Sequence, residues 1–114
     1  MWTPEIKNGD MTGRILQGTD CLIQWLEEAI ENDGNEVYAV LGSGSEDAVL
    51  NALSDVILAR MECFLSCYKS NPGRFTDDQV FINFALVPTA ENEVTITLSL
   101  LNGKQAELLW SGQK

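Results

Sequence analysis

Adjacent acidic pairs are the side chains of this sequence whose types first suggest chemistry. They are Glu27-Glu28, Glu46-Asp47 and Asp77-Asp78. Neighbours in a helix or strand point apart, so none of these pairs is spaced like a catalytic dyad. Asp77 and Asp78 fall in a predicted loop, where carboxylates can bind a cation, but the spaced ligands of a calcium loop are missing. A solvated turn is the favoured interpretation there.

Histidine is absent from the 114 residues. This removes the commonest general base, the usual metal ligand and every Ser-His or Cys-His nucleophile. The absence of histidine and the unsuitable spacing of the acidic pairs lead us to expect no enzymatic activity, no catalytic residues, no metal site and no cofactor.

The cysteines also indicate structure rather than catalysis. Cys21, Cys63 and Cys67 are odd in number and lack the paired CxxC spacing of a zinc site. Cys63 and Cys67 are four residues apart on a predicted helix and therefore share a face. We expect them to be buried as small hydrophobic side chains, with a redox pair as the alternative.

A glycine-rich segment, Gly42-Ser43-Gly44-Ser45, precedes a predicted helix. Such loops can bind phosphate through free N–H groups and the helix dipole. This one matches neither GxxxxGK[ST] nor GxGxxG, and the acidic residues that follow it would repel phosphate. We therefore expect a turn in which Ser45 caps the helix.

The net charge of −10 excludes further classes of function, since seven scattered cations do not form a nucleic-acid surface. No apolar run approaches the roughly 18 residues of a membrane span, and the N-terminus lacks the layout of a signal peptide. We expect one domain over residues 1–114, located in a cytoplasm or in a particle assembled there.

A C-terminal meander is the clearest structural pattern. Val94–Leu100 alternates apolar and polar residues, which predicts a half-buried antiparallel strand. Val80–Val87, interrupted by Pro88, and Gln105–Trp110 are predicted to flank it. A three-residue loop ending at a left-handed Gly103 keeps the apolar face continuous. The resulting pairs are Leu98 with Ala106, Ile96 with Leu108, and Val94 with Trp110.

Two amphipathic helices are predicted to cover this sheet, one capped by Thr19 or Asp20 and one running from Glu46 to Ser70. The expected fold class is α+β, with both helices packed on one face of a mainly antiparallel sheet. Residues 1–18 are expected to form an extended N-terminal segment with a turn at Asn8-Gly9-Asp10, followed by a short strand over Met11–Leu16. Val37–Leu41 is an apolar run that predicts a further strand.

The layout combines a Gly-Asp turn, a Gly-led helix containing Gln24, a long helix with a Pro/Arg connection, and a closing antiparallel sheet. In these features it resembles the small, lysozyme-like wedge proteins of contractile phage baseplates and related injection particles. The family's Glu-Pro-Arg signature corresponds to Asn71-Pro72-Gly73-Arg74, where Asn replaces Glu and Gly73 is inserted. Leu100–Trp110 is also similar to the ending of a Mu-like branch.

The resemblance implies a structural subunit of a multi-subunit baseplate wedge, assembled in the bacterial cytoplasm. Its partners would be larger wedge proteins and the tail sheath protein, which would add a strand to the edge of the sheet. Pro72, Arg74 and Trp110 become the candidate partner-binding residues. Arg74 has an alternative role as a cation at the end of the preceding helix.

A free-standing acidic binding module, such as an immunity protein or a phage-encoded inhibitor, is the alternative function. It would use the negative surface against a basic partner, and its binding would weaken sharply with salt.

Overall fold

The computed structural model describes residues 1–33, 46–71, 73–90 and 93–112. The fold is α+β, as the sequence predicts. Two helices and two antiparallel sheets make up the described part. Val37–Leu41 and the glycine-rich segment lie outside the described residues, so the predictions for them stay predictions. No helix within the described ranges is long and apolar enough to cross a membrane.

The N-terminal segment is a β-hairpin that forms its own two-stranded sheet. Strand β1 is Trp2–Lys7 and strand β2 is Asp10–Gln17. Asn8 and Gly9 have φ angles of 54° and 83°, the left-handed pair that a tight two-residue hairpin turn requires. The predicted turn is therefore confirmed, and the extended segment is a paired hairpin.

The helices bury the faces that their apolar spacing predicts. Helix α1 is Thr19–Asp33 and helix α2 is Glu46–Ser70. Helix α1 contacts α2 and both strands of the hairpin. The buried apolar residues of the two helices recur at helical spacing: Cys21, Leu22, Leu26, Ala29, Ile30, Val49, Ala52, Leu53, Ile57 and Phe64.

The C-terminal sheet has the predicted meander topology, with strand order β3-β4-β5. Strand β3 is Phe81–Ala90, β4 is Glu93–Leu100 and β5 is Gln105–Ser111. All three predicted cross-strand pairs between β4 and β5 are confirmed. Pro88 does not end β3, because an edge strand tolerates proline where the missing N–H would face away from the sheet.

The core lies between the two helices and the apolar face of this sheet. Helix α2 packs on β3, while α1 reaches β5. Every second residue of β4 is buried against the helices. The sheet contributes Phe81, Val94, Ile96, Leu98, Leu100, Leu108 and Trp110 to the core.

Substitution of Gly103 tests the left-handed geometry of the three-residue loop between β4 and β5. Its φ is 87°, where an added Cβ is strained although nothing lies within 4 Å. We expect Gly103→Ala to lower the free energy of unfolding by about 1–2 kcal/mol. Gly73→Ala is the control, because a Cβ there also meets nothing and no left-handed φ is required. Urea denaturation of both variants measures the difference, and equal stabilities would contradict the strained geometry.

Candidate functional site

Strand β3 stands out because it lies at the edge of its sheet and carries no charge. Its ten residues, FINFALVPTA, are largely exposed. No other described strand pairs with its outer side. Edge strands of soluble proteins are usually protected by charged side chains, by proline or bulges, or by a covering element. Pro88 and two register irregularities protect the ends of β3, so the uncharged stretch between them is the candidate binding surface.

One hydrogen bond shows which backbone groups of β4 point toward β5 and which point toward β3. The Leu100 N–H donates to the Lys104 carbonyl at 2.8 Å, so the backbone groups of Leu100 point toward β5. Backbone groups alternate in direction along a strand. Residues 95, 97 and 99 of β4 therefore face β3.

The register then gives the orientation of β3. Residues 83, 85 and 87 stand opposite 99, 97 and 95, so their backbone groups bond to β4. The groups of Phe84, Leu86 and Pro88 consequently point outward, away from the sheet. Irregularities in the register between Phe81 and Asn83 and between Pro88 and Ala90 bound this regular stretch.

The three outward positions differ in what they offer a partner. The Phe84 N–H donates to the Oδ1 atom of Asn83 at 2.9 Å. Pro88 has no N–H to donate. Leu86 is therefore the outward position in this stretch whose N–H points at solvent, while all three residues present carbonyl oxygens.

A strip of two exposed apolar side chains on either side of Thr95 crosses the outer face of the sheet next to this edge. Val87 stands opposite Thr95, which in turn stands opposite Leu109. Val87 is 51% exposed and Leu109 is 58% exposed. A strand added beside β3 would extend this strip and cover Val87.

Two of the three predicted partner-binding residues, Arg74 and Trp110, are described, and they line different clefts. Pro72 lies outside the described residues. The Arg74 side chain is exposed. The backbone N–H of Arg74 donates to the Asn71 carbonyl at 3.0 Å, just after α2. Trp110 is 5% exposed and belongs to the core, which leaves a partner only its rim. Their role in binding stays a prediction, and Arg74 is the accessible member.

Arg74 lines a cleft of about 540 Å³ between the helices and the start of β1. Three aromatic rings line the same cleft, those of Trp25, Phe64 and Phe75. Their centroids are 6.0–6.4 Å apart. A partner side chain that enters this cleft would meet both a guanidinium group and aromatic faces.

The prediction that Cys63 is buried is wrong. Cys63 is exposed and Cys67 is half-buried, because the apolar stripe of α2 runs through the adjacent Phe64. Cys21 alone is fully buried, and burial raises the pKa of its thiol. Within the described ranges, no cluster of three or more His, Cys, Asp or Glu side chains is arranged to hold a metal ion.

An acidic groove runs between the hairpin and α1. It has a volume of about 560 Å³ and is lined by Glu27, Glu28 and Glu31 as well as by Lys7. Partial desolvation, followed by the charges of Glu31 and Glu28, raises the pKa of Glu27. The three carboxylates that line the groove concentrate negative charge there, which favours a cationic group in the groove.

Two buried glutamines attach the hairpin to the rest of the protein. The Gln24 side chain donates to the Pro4 carbonyl and accepts from the Ile6 N–H, both at 2.9 Å. The Gln79 side chain donates to the Met1 carbonyl at 2.7 Å. Apolar periodicity does not identify Gln79 or Asn83, and only their hydrogen bonds do. Comparison with known protein families, curated proteins and solved structures gives no match.

Proposed function

We propose that the chain is a structural subunit of a contractile-tail baseplate wedge, which joins larger wedge proteins and offers the β3 edge to a strand of the sheath protein. The observation that carries this proposal is the uncharged, exposed edge strand of ten residues. The resemblance described above supplies the identity of the partners.

Strand addition suits such an edge physically. Its affinity comes from main-chain hydrogen bonds, so the added strand needs little sequence specificity. The residues of β3 that face the helices, such as Phe84 and Leu86, pack on the core and hold the strand in place. The edge is therefore ordered before a partner arrives, which lowers the entropic cost of binding.

Leu86→Pro tests this function directly. Proline removes the outward N–H and places its ring where an added strand would lie, while an edge strand tolerates it. We expect binding to the sheath protein to weaken at least about tenfold relative to Leu86→Ala. Leu86→Ala is the matched control because both variants lose the leucine side chain and only one loses the N–H. Co-purification of each variant with the sheath and larger wedge proteins measures the difference.

The variants separate several outcomes. Equal binding by Leu86→Pro and Leu86→Ala would show that β3 is not the attachment edge. If the wild-type chain co-purifies with neither the sheath protein nor the larger wedge proteins, the wedge role itself is ruled out. Urea denaturation of the two variants checks that their folds are equally stable.

The acidic groove supports a second candidate function, an acidic module that binds a basic protein. Its three glutamates lie next to each other on one surface. Binding through them would weaken when Glu27 and Glu31 are replaced by glutamine and would be unaffected by Leu86→Pro. Main-chain strand addition at β3 would show the opposite response, so these two variants distinguish the functions.

A further inference from the structure

We infer that the β3 edge selects a short strand with basic flanks and that the Asn83 side chain guards this edge until such a strand displaces it. The inference rests on the proposed function, because it describes the partner and the control of the same edge. It is carried by the outward hydrogen-bonding groups of β3 and by the charge of the chain.

The guard is the hydrogen bond from the Phe84 N–H to Asn83 Oδ1, 2.9 Å long. It occupies one of the two outward donors in the regular stretch, since the third outward residue, Pro88, has none. The Leu86 N–H alone is too little to nucleate an unspecific pairing. An uncharged edge can thus stay unpaired in solution without the lysines that usually protect such strands.

The length of the partner segment follows from the same groups. An added strand can receive hydrogen bonds only from Phe84 and Leu86 before it meets Pro88. The register irregularities at either end of the stretch disturb any longer pairing. The paired segment is therefore short, about five residues by the alternation of strand hydrogen bonds.

Charge decides against a second copy of this chain as the occupant. Pairing two β3 edges would bring together two chains that each carry a net charge of −10. That repulsion opposes association, whereas lysine or arginine on either side of an incoming strand would favour it. Because β3 itself is uncharged, the paired residues of the partner are expected to be uncharged too.

Three synthetic peptides serve as probes for this edge. The first is acetyl-Lys-Val-Thr-Val-Thr-Val-Lys-amide, the second has Glu in place of both Lys, and the third is the first with alternate backbone amides methylated. We expect the lysine peptide to bind at least about tenfold more tightly than the glutamate peptide at low salt. Methylation and the Leu86→Pro variant should each abolish binding, because both remove main-chain hydrogen bonds.

Asn83→Ala tests the guard. Releasing one backbone donor should tighten binding of the lysine peptide by about threefold to tenfold. Asn102→Ala is the matched control, since Asn102 Oδ1 also accepts from a backbone N–H, that of Lys104 at 2.9 Å, but lies in the β4–β5 loop. That variant should bind as the wild type does. Amide exchange gives a second measurement, in which Asn83→Ala should speed exchange of the Phe84 N–H.

The results distinguish a failure of the guard, the Asn83 hydrogen bond, from a failure of strand addition at β3. Unchanged affinity and unchanged Phe84 exchange in Asn83→Ala would overturn the guard while leaving strand addition in place. Equal binding of the lysine and glutamate peptides would overturn the basic partner. Undiminished binding of the methylated peptide would overturn strand addition and the proposed function together. A wild-type dimer that Leu86→Pro dissociates, measured by sedimentation, would instead assign the edge to a second copy.

Discussion

Replacing Phe81 with alanine is expected to lower the free energy of unfolding by about 3–5 kcal/mol. Phe81 is 0% exposed and begins the edge strand β3. Its ring lies 6.4 Å from that of Phe64 on α2 and 6.3 Å from that of Phe84, centroid to centroid. Truncation would leave a cavity between the long helix and the sheet, which the rigid strand cannot collapse to fill. Chemical denaturation followed by circular dichroism measures the loss.

Ile82→Ala is the matched control for this prediction. Ile82 is the next residue along the strand and is 50% exposed, so its truncation removes much less buried surface. We expect a loss below about 1 kcal/mol. A loss at Phe81 as small as that expected for Ile82 would mean that Phe81 is not part of a close-packed core. The pair also separates folding from binding, because Ile82 lies at the candidate edge and Phe81 lies beneath it.

The sheet shows how far the sequence alone predicts this fold. Strict alternation in β4 fixes which face is buried, because a shift of one residue would exchange the two faces. The positive φ of Gly103 then fixes the loop and with it the register to β5. The helices follow in the same way from a broad apolar stripe, and α2 spans the predicted residues Glu46–Ser70.

Long-range polar contacts explain how the N-terminal hairpin is attached to the rest of the fold, which the sequence did not predict. Side chains far along the chain hold the hairpin in place. Gln24 lies 18 residues from the N–H that it accepts, and Gln79 lies 78 residues from the carbonyl that it contacts. Hydrogen bonds of this kind leave no periodic pattern, so apolar spacing cannot reveal them.

The candidate edge was predictable only in part. The sequence indicates a sheet with a free edge, but which strand lies outside depends on topology. The significance of Asn83 depends further on the direction in which the Phe84 N–H points, and that direction follows only from the full register of the three strands. Cys63 was misplaced because it directly precedes the buried Phe64. Successive residues are rotated by about 100° around a helix, so Cys63 lies outside the buried stripe.

Replacing Gln24 with methionine is expected to lower the free energy of unfolding by about 2–4 kcal/mol. Methionine keeps the volume of the buried side chain but offers neither of its two hydrogen bonds. The Pro4 carbonyl and the Ile6 N–H would then be left without the partner that the native structure gives them. Urea denaturation measures the loss, and Gln17→Met is the control because Gln17 is an exposed glutamine on the same hairpin.

Amide exchange shows whether Gln24 acts on the hairpin itself. If the side chain holds β1 against α1, Gln24→Met should speed exchange of the Ile6 N–H far more than that of the Leu98 N–H in the central strand of the other sheet. A uniform increase at both amides would mean that the substitution weakens the whole core through the packing of α1. An unchanged Ile6 rate with unchanged stability would contradict the role of Gln24, since a donor that loses its acceptor must become more accessible to exchange.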